Sequence, residues 1–361
     1  MKRLAVLTSG GDSPGMNAAI RAVSKLAAAQ NLSVLGVLEG YDGLIDGKFR
    51  ELTHVLADGG VTVDQELDTA GGQGGTMLGS ARSARFREPD GRLAAVRQLE
   101  KHQVQGLVVI GGNGSLTGAH LLATEHGVRV IGIPGSIDND IGCTATCLGV
   151  DTALNTIVDA CDRISDSARA HRRAFVVEVM GRDCGYLAMA SAVAMAADAV
   201  LTREQGKSEA QLVEDISNVI RGGVARGKRR ILIIKSEGVS APCTRLVRMT
   251  EEAMKAEMPS LEIRATVLGH VVRGGNPSYQ DRAVAGRLGF AAVSSLAKGK
   301  TDQMVAWLPP VSGGAPTEDS SVQLFSLERV LDETRGLIDG SSPVTQRRLA
   351  LMTRASGVLA L

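Results

Sequence analysis

A hydroxyl and two carboxylates stand close together in Ile133-Pro134-Gly135-Ser136-Ile137-Asp138-Asn139-Asp140, at the end of an apolar run. In an extended stretch, side chains two residues apart point the same way, which predicts Asp138 and Asp140 on one side of the chain. Beside a phosphate, that pair suits a general base next to a carboxylate that orients it or a metal ion. In solvent the same residues would be an ordinary Asx turn. Two earlier loops supply a place for the phosphate. Thr8-Ser9-Gly10-Gly11-Asp12-Ser13-Pro14-Gly15 and Ile110-Gly111-Gly112-Asn113-Gly114-Ser115 each close an apolar run and open a helical pattern. Adjacent glycines let backbone N–H groups approach an anion, and a helix N-terminus adds the positive end of its dipole. One such loop is equally a tight turn; two of them ahead of a Ser-Asp-Asp loop point to phosphoryl chemistry. Neither loop is a Walker A sequence or the dinucleotide G-x-G-x-x-G.

These loops need strands to hold them. Nearly continuous apolar runs predict strands at 4–7, 34–38, 107–110, 128–133, 175–179, 231–234 and 266–268. Runs without alternation are covered on both faces, as in parallel sheets. Helical patterns follow at 16–29, 116–125, 152–170, 186–197, 209–225 and 281–298. The alternation reads as an α/β fold with two doubly wound, Rossmann-like lobes of parallel-rich sheets flanked by helices. The expected lobes are 1–149 with 266–322, carrying the nucleotide, and 150–265 with 323–338, carrying the sugar phosphate; residues 339–361 form a tail. The segment 309–321 reads as a linker and 326–338 as a last helix.

Composition narrows the function. With 361 residues, 44% apolar and 22% charged, the chain has the make-up of a two-lobed globular protein. A net charge of +1 and only 2% aromatic residues argue against nucleic acid or an anionic membrane as partner. No apolar stretch reaches the length of a membrane span, and the start resembles no signal peptide, so a cytoplasmic enzyme is expected. Five cysteines without paired metal spacing read as reduced thiols.

The three loops, in this order, resemble the ATP-dependent 6-phosphofructokinase family. Further matches are Gly79-Ser80-Ala81-Arg82, His171-Arg172-Arg173, Val179-Met180-Gly181-Arg182, Ser236-Glu237-Gly238 and the stretch from Arg264 to Gly275. The resemblance implies a phosphofructokinase fold and transfer of the γ-phosphoryl group of ATP to the 1-hydroxyl of fructose 6-phosphate, a step of glycolysis, with Mg²⁺ as cofactor. Asp138 would remove the hydroxyl proton, Ser136 would hold the transferring group, and Asp140 would support the base and the metal. Gly11 would give its backbone N–H to the phosphate chain, Arg82 would clamp phosphate oxygens, and Arg182 would neutralise charge in the transition state. The nucleotide side would involve Gly11, Tyr41, Arg82, Ser83, Gly112, Asn113, Gly114, Ser115 and Gly118. The sugar side would involve Ser136, Ile137, Asp138, Met180, Gly181, Arg182, Glu237, His270, Val271, Val272 and Arg273. Arg173 and Arg264 match arginines that reach the 6-phosphate from a neighbouring subunit, which implies a homotetramer or dimer of dimers.

The chain departs from the family in instructive places. The second loop of the family carries aspartate, the magnesium ligand, where this chain has Asn113; an amide oxygen lacks the charge that strengthens binding of a hard cation. Weaker metal affinity or turnover, or even a regulatory sugar-phosphate-binding subunit, would follow. Pyrophosphate-dependent relatives carry aspartate and lysine where Gly114 and Gly135 stand, so ATP is the expected donor and pyrophosphate the alternative. Arg21 and Lys25, together with Arg226, Lys228, Arg229 and Arg230, match positions that bind a nucleotide or phosphoenolpyruvate effector, and Asp198 stands at a further one where glutamate is usual. Ser165 stands where arginine is usual, and a basic run before a strand is also a common solvated helix end.

Overall fold

The computed structural model describes residues 2–308, 311–319 and 322–350. Its chain forms two compact units. The first comprises Met1–Ile137, Ile141–Thr152 and Arg273–Arg335; the second comprises Asp138–Asp140, Ala153–Val272 and Gly336–Leu361.

In the first unit the apolar runs pair in parallel. β1 (Arg3–Ser9) lies between β2 (Ser33–Val37) and, on its other side, β6 (Leu107–Gly111), which is followed outward by β7 (Val130–Pro134). Every residue of β2, β6 and β7 is buried, as continuous apolar runs predict. Antiparallel strands finish both edges. β3 (Phe49–Glu51) pairs with β2, while β12 (Gln303–Trp307) joins β7 and carries β14 (Val322–Ser326) and then β13 (Ala315–Pro316) beyond it. A small hairpin of β4 (Thr53–Val55) and β5 (Val61–Val63) stands apart. Because β1 leads to β2 on one side and the later strands continue on the other, the sheet reverses its winding between β1 and β6. Loops at such a reversal diverge and leave a crevice. The loops after β1 and β6 are the two glycine-rich ones.

The second unit repeats the plan with four parallel strands, in the order β11 (Ile263–Val267), β8 (Ala174–Val179), β10 (Ile231–Ser236) and β9 (Ala199–Leu201). Its reversal lies between β8 and β11. The loops there carry residues 180–182 and 268–273.

The strand expected at 266–268 begins earlier, at Ile263, because an edge strand alternates and Arg264 breaks the apolar run. Residues 323–338, expected in the second lobe, contribute β14 to the first sheet, where Val322, Leu324 and Phe325 are buried against β12. Within the expected linker 309–321, residues 309, 310, 320 and 321 lie outside the described residues, and Ala315–Pro316 is a strand. The expected last helix is present as Leu327–Asp339. The tail is described to residue 350, with 343–350 helical, and its remainder lies outside the described residues. All five cysteines are buried, and no disulfide joins them among the described residues. Burial pushes Cys143, Cys161 and Cys243 up to about 11 and Cys184 up to about 12. No described helix is long and apolar enough to cross a membrane.

Candidate active site

The first unit holds its candidate residues with backbone and hydroxyl groups. Gly10 and Gly15 adopt left-handed φ values of 87° and 98°, and Gly15 immediately precedes the helix Met16–Ala29. Ser115 fills the space between the two glycine loops, since a Cβ at Gly10 would lie 3.3 Å and one at Gly111 2.6 Å from its Oγ. Ser80 Oγ donates to the Gly10 carbonyl at 2.6 Å, and Thr8 Oγ1 donates to the Gly79 carbonyl at 2.8 Å. These bonds bring Gly79-Ser80-Ala81-Arg82 beside the first loop and leave Arg82 exposed. The helix Asn113–His126 starts at Gly112 without a side-chain cap, so its first N–H groups are available to an anion. The Gly135 N–H donates to the Gly111 carbonyl at 3.0 Å and joins the third loop to the second.

Several expected nucleotide residues support the loops from behind. Tyr41 is 3% exposed; its ring stacks on Phe86 at 3.9 Å and its hydroxyl donates to the Ser115 carbonyl at 2.7 Å. Burial raises its phenol above the ordinary range. Gly118 lies under both rings, which an added Cβ would approach to 2.9 Å. Ser83 Oγ bonds to Asp42 and accepts from the Phe86 N–H. Arg273, expected on the sugar side, belongs to the first unit, and its guanidinium donates to the Asp12 carbonyl at 3.1 Å.

One expectation is corrected in the third loop. Ile137 and Asp138 form a turn and Asn139 adopts φ 51°, so the segment is not extended and spacing alone does not put Asp138 and Asp140 on one face. Both aspartates are half-buried and belong to the second unit, whereas Ser136 and the buried Ile137 belong to the first.

The second unit works with charged side chains. Gly181 adopts φ 121°, which turns Met180-Gly181-Arg182 sharply after β8. Ser236 Oγ donates to the Gly181 carbonyl at 2.6 Å, the Glu237 N–H donates to Val179, and the Gly238 N–H donates to Gly181. Arg182 pairs with Glu237 at 3.3 Å. Arg173 and Arg264 both pair with Glu262, at 2.5 and 3.0 Å. His270 and Val271 are exposed and Val272 is buried, on the short turn Gly269–Arg273.

The expected effector residues fall in both units. In the first, Lys25 pairs with Asp68 at 2.5 Å, and Arg21 lies against Gly71. In the second, the buried Asp198 pairs with Lys228 at 2.7 Å and accepts the Leu232 N–H at 2.8 Å, while Arg226 and Arg229 are exposed. Arg230 donates to Ser165 Oγ and to the Met195 and Ala196 carbonyls.

The family model described as Phosphofructokinase matches residues 3–296. The chain belongs to the phosphofructokinase family. Among curated relatives, the ATP-dependent 6-phosphofructokinase of Thermotoga neapolitana is 46% identical over 85% of this chain and 90% of its own. That of Oceanobacillus iheyensis is 42% identical over 92% of this chain and 97% of its own. Among solved structures, phosphofructokinase from Saccharomyces cerevisiae matches 96% of this chain with a TM-score of 0.79 and 30% identity; this chain spans 47% of that one, about half its length. A pyrophosphate-dependent phosphofructokinase from Nitrosospira multiformis shares the fold, with a TM-score of 0.75 over 91% of this chain and 84% of its own, at 19% identity.

Seen as a phosphofructokinase, the molecule gives two serines of the matched stretches a structural task and adds one residue that no motif marked. Ser80 and Ser115 lock the phosphate loops, and Glu262 pairs with both expected 6-phosphate arginines. Ser115 already stands in the expected nucleotide set and Ser80 in a matched stretch, whereas nothing in the sequence marks Glu262.

Proposed function

We propose that the chain transfers the γ-phosphoryl group of ATP to the 1-hydroxyl of fructose 6-phosphate. The interlocked glycine loops at the winding reversal of the first unit carry this reading, supported by relatives of that name at 42–46% identity. Gly11 and the start of the helix Asn113–His126 offer N–H groups to the phosphate chain, and the exposed Arg82 adds a guanidinium that pairs with no carboxylate among the described residues. Asp138 takes the proton of the sugar hydroxyl, because an alcohol attacks phosphorus better as its proton leaves. Ser136 holds the moving group and Arg182 offsets its charge.

Nothing within 4 Å of a Cβ built at Gly114 crowds that position, which leaves room for the bulk of a nucleotide. This supports ATP over pyrophosphate. Among the described residues no cluster of three His, Cys, Asp or Glu could hold a metal alone. The Asn113 amide oxygen would be the chain's ligand to Mg²⁺ brought in on the nucleotide, and Asp140 would support it indirectly. When bound, the ion would neutralise phosphate charge.

Self-association into a tetramer belongs to the same reading. Arg264 lies on the edge strand β11, which ends at Val267, 54% exposed, and is followed by a turn carrying Val271, 67% exposed; a second copy would cover this apolar surface. A nucleotide or phosphoenolpyruvate effector would meet cations already paired with Asp68 and Asp198. A cytoplasmic location accompanies this activity. A coupled assay of fructose 6-phosphate with ATP, GTP and pyrophosphate in turn, with Mg²⁺ present, tests the proposal. ATP-dependent turnover is expected; binding of the sugar phosphate without turnover on any donor would overturn it.

A further inference from the structure

Along β8 and β10 one side of the second sheet is an apolar stripe: Ala174 and Val176 pack with Ile231 and Ile233 in a single core. Alternation carries the next rung of that stripe to Glu178 and Lys235, which face each other in register. Lys235 is 1% exposed. Its ammonium donates to Glu178 at 2.8 Å, to the Ser236 carbonyl at 3.1 Å and to the Val239 carbonyl at 3.3 Å. An ammonium has three donors, and here each has an acceptor.

Stability alone is a poor reason for this arrangement, because a buried ion pair contributes little over apolar residues of the same volume. The acceptors suggest a different purpose. One is the carbonyl of Ser236, the last residue of β10, and another is that of Val239 in the loop that follows and carries Glu237. The third belongs to the residue two places before Met180 on β8. The Glu178 carbonyl in turn accepts the Leu268 N–H at 3.0 Å, just past the end of β11 and two residues before His270. One rung thus ties the ends of three strands of the second unit, from which Met180, Gly181, Arg182, Glu237 and His270 project. Beyond the rung the loops interlock without slack: a Cβ at Gly238 would lie 2.0 Å from the Arg182 carbonyl. A shift of residues 236–239 is therefore passed to Arg182.

We propose that Lys235 is a positioning residue for the sugar phosphate, fixing the loop that holds Glu237 and, through it, the Arg182 turn. The inference rests on the proposed function and deepens it. It is tested on the full chain with Lys235→Met and with the double variant Lys235→Met/Glu178→Leu. The Michaelis constants for fructose 6-phosphate and for ATP, and the melting temperature, are measured for each. The single variant raises the constant for the sugar phosphate about tenfold, as misplacement of positioning groups does, and leaves that for ATP unchanged. The double variant regains an apolar rung and its melting temperature, yet its constant for the sugar phosphate stays high, because the Ser236 and Val239 carbonyls have no ammonium. A double variant with native affinity for the sugar phosphate would reduce the pair to packing and overturn the inference, as would an equal rise in the constant for ATP. Should the single variant not fold, the double variant decides alone. Absence of turnover by the unaltered chain would overturn the functional reading and this inference together, whereas native turnover with unaffected variants overturns only the inference.

Discussion

The two units hold their candidate residues by different means. In the first, Ser80 and Ser115 lock glycine loops through hydroxyl contacts, and Arg82 stands exposed beside them. In the second, Arg182, Arg173 and Arg264 are each paired with a glutamate of their own unit. Backbone N–H groups fixed by glycine geometry need no reorganisation to meet an anion. Paired guanidiniums do, since a phosphate must compete with a carboxylate already in place. Nucleotide binding should therefore depend on shape, and sugar-phosphate binding on the exchange of one anion for another.

The strongest challenge to this contrast is Asp138→Asn. Loss of a general base is expected to lower kcat by about 10²–10⁴-fold with little change in either Michaelis constant. Unimpaired kcat in a steady-state assay would remove Asp138 from the chemistry. Next comes Arg82→Ala, which costs no internal ion pair. Losing a charge-assisted hydrogen bond should lower kcat/KM for ATP roughly 10–100-fold and leave the thermal midpoint unchanged. An effect confined to fructose 6-phosphate would place the residue in the wrong half.

Asn113→Asp restores a charged ligand, and a magnesium titration should then half-saturate at roughly a third to a tenth of the native concentration. An unmoved titration would mean that the nucleotide alone holds the metal. The smallest effect is expected from Glu262→Gln. Freeing Arg173 and Arg264 from exposed pairs of about 0.2–1 kcal/mol should lower the Michaelis constant for fructose 6-phosphate about two- to fivefold. A rise instead would show that the glutamate positions these arginines rather than competing for them, and the contrast between the units would fail.

Much of this was legible in the sequence where one short stretch decides the structure. The strands β1, β6 and β7 are continuous apolar runs that end in glycines, so both the elements and the loops after them could be read directly. Edges were harder. The short strand Phe49–Glu51 is half polar and the strand Ile263–Val267 interrupts its apolar residues with Arg264, because one side of an edge strand meets solvent. The same-face argument for Asp138 and Asp140 failed on a single dihedral angle, that of Asn139, which residue type permits but does not dictate. Contacts between distant residues left no trace at all. Ser80 and Gly10 are separated by 70 positions, and Lys235 reads in sequence as the charged stop of a strand that in fact continues to Ser236.

The two small residues implicated in donor choice differ in how freely they can change. Around Gly114 there is open space, whereas a Cβ at Gly135 would stand 3.3 Å from Met16 and 3.4 Å from Ser13. An aspartate at the first position meets no neighbour, whereas a side chain at the second requires the Met16 methyl and the Ser13 hydroxyl to give by a few tenths of an ångström. Drift toward an inorganic donor would thus meet open space at one position and a close but yielding fit at the other, so the two changes differ in how much the surrounding packing must adjust.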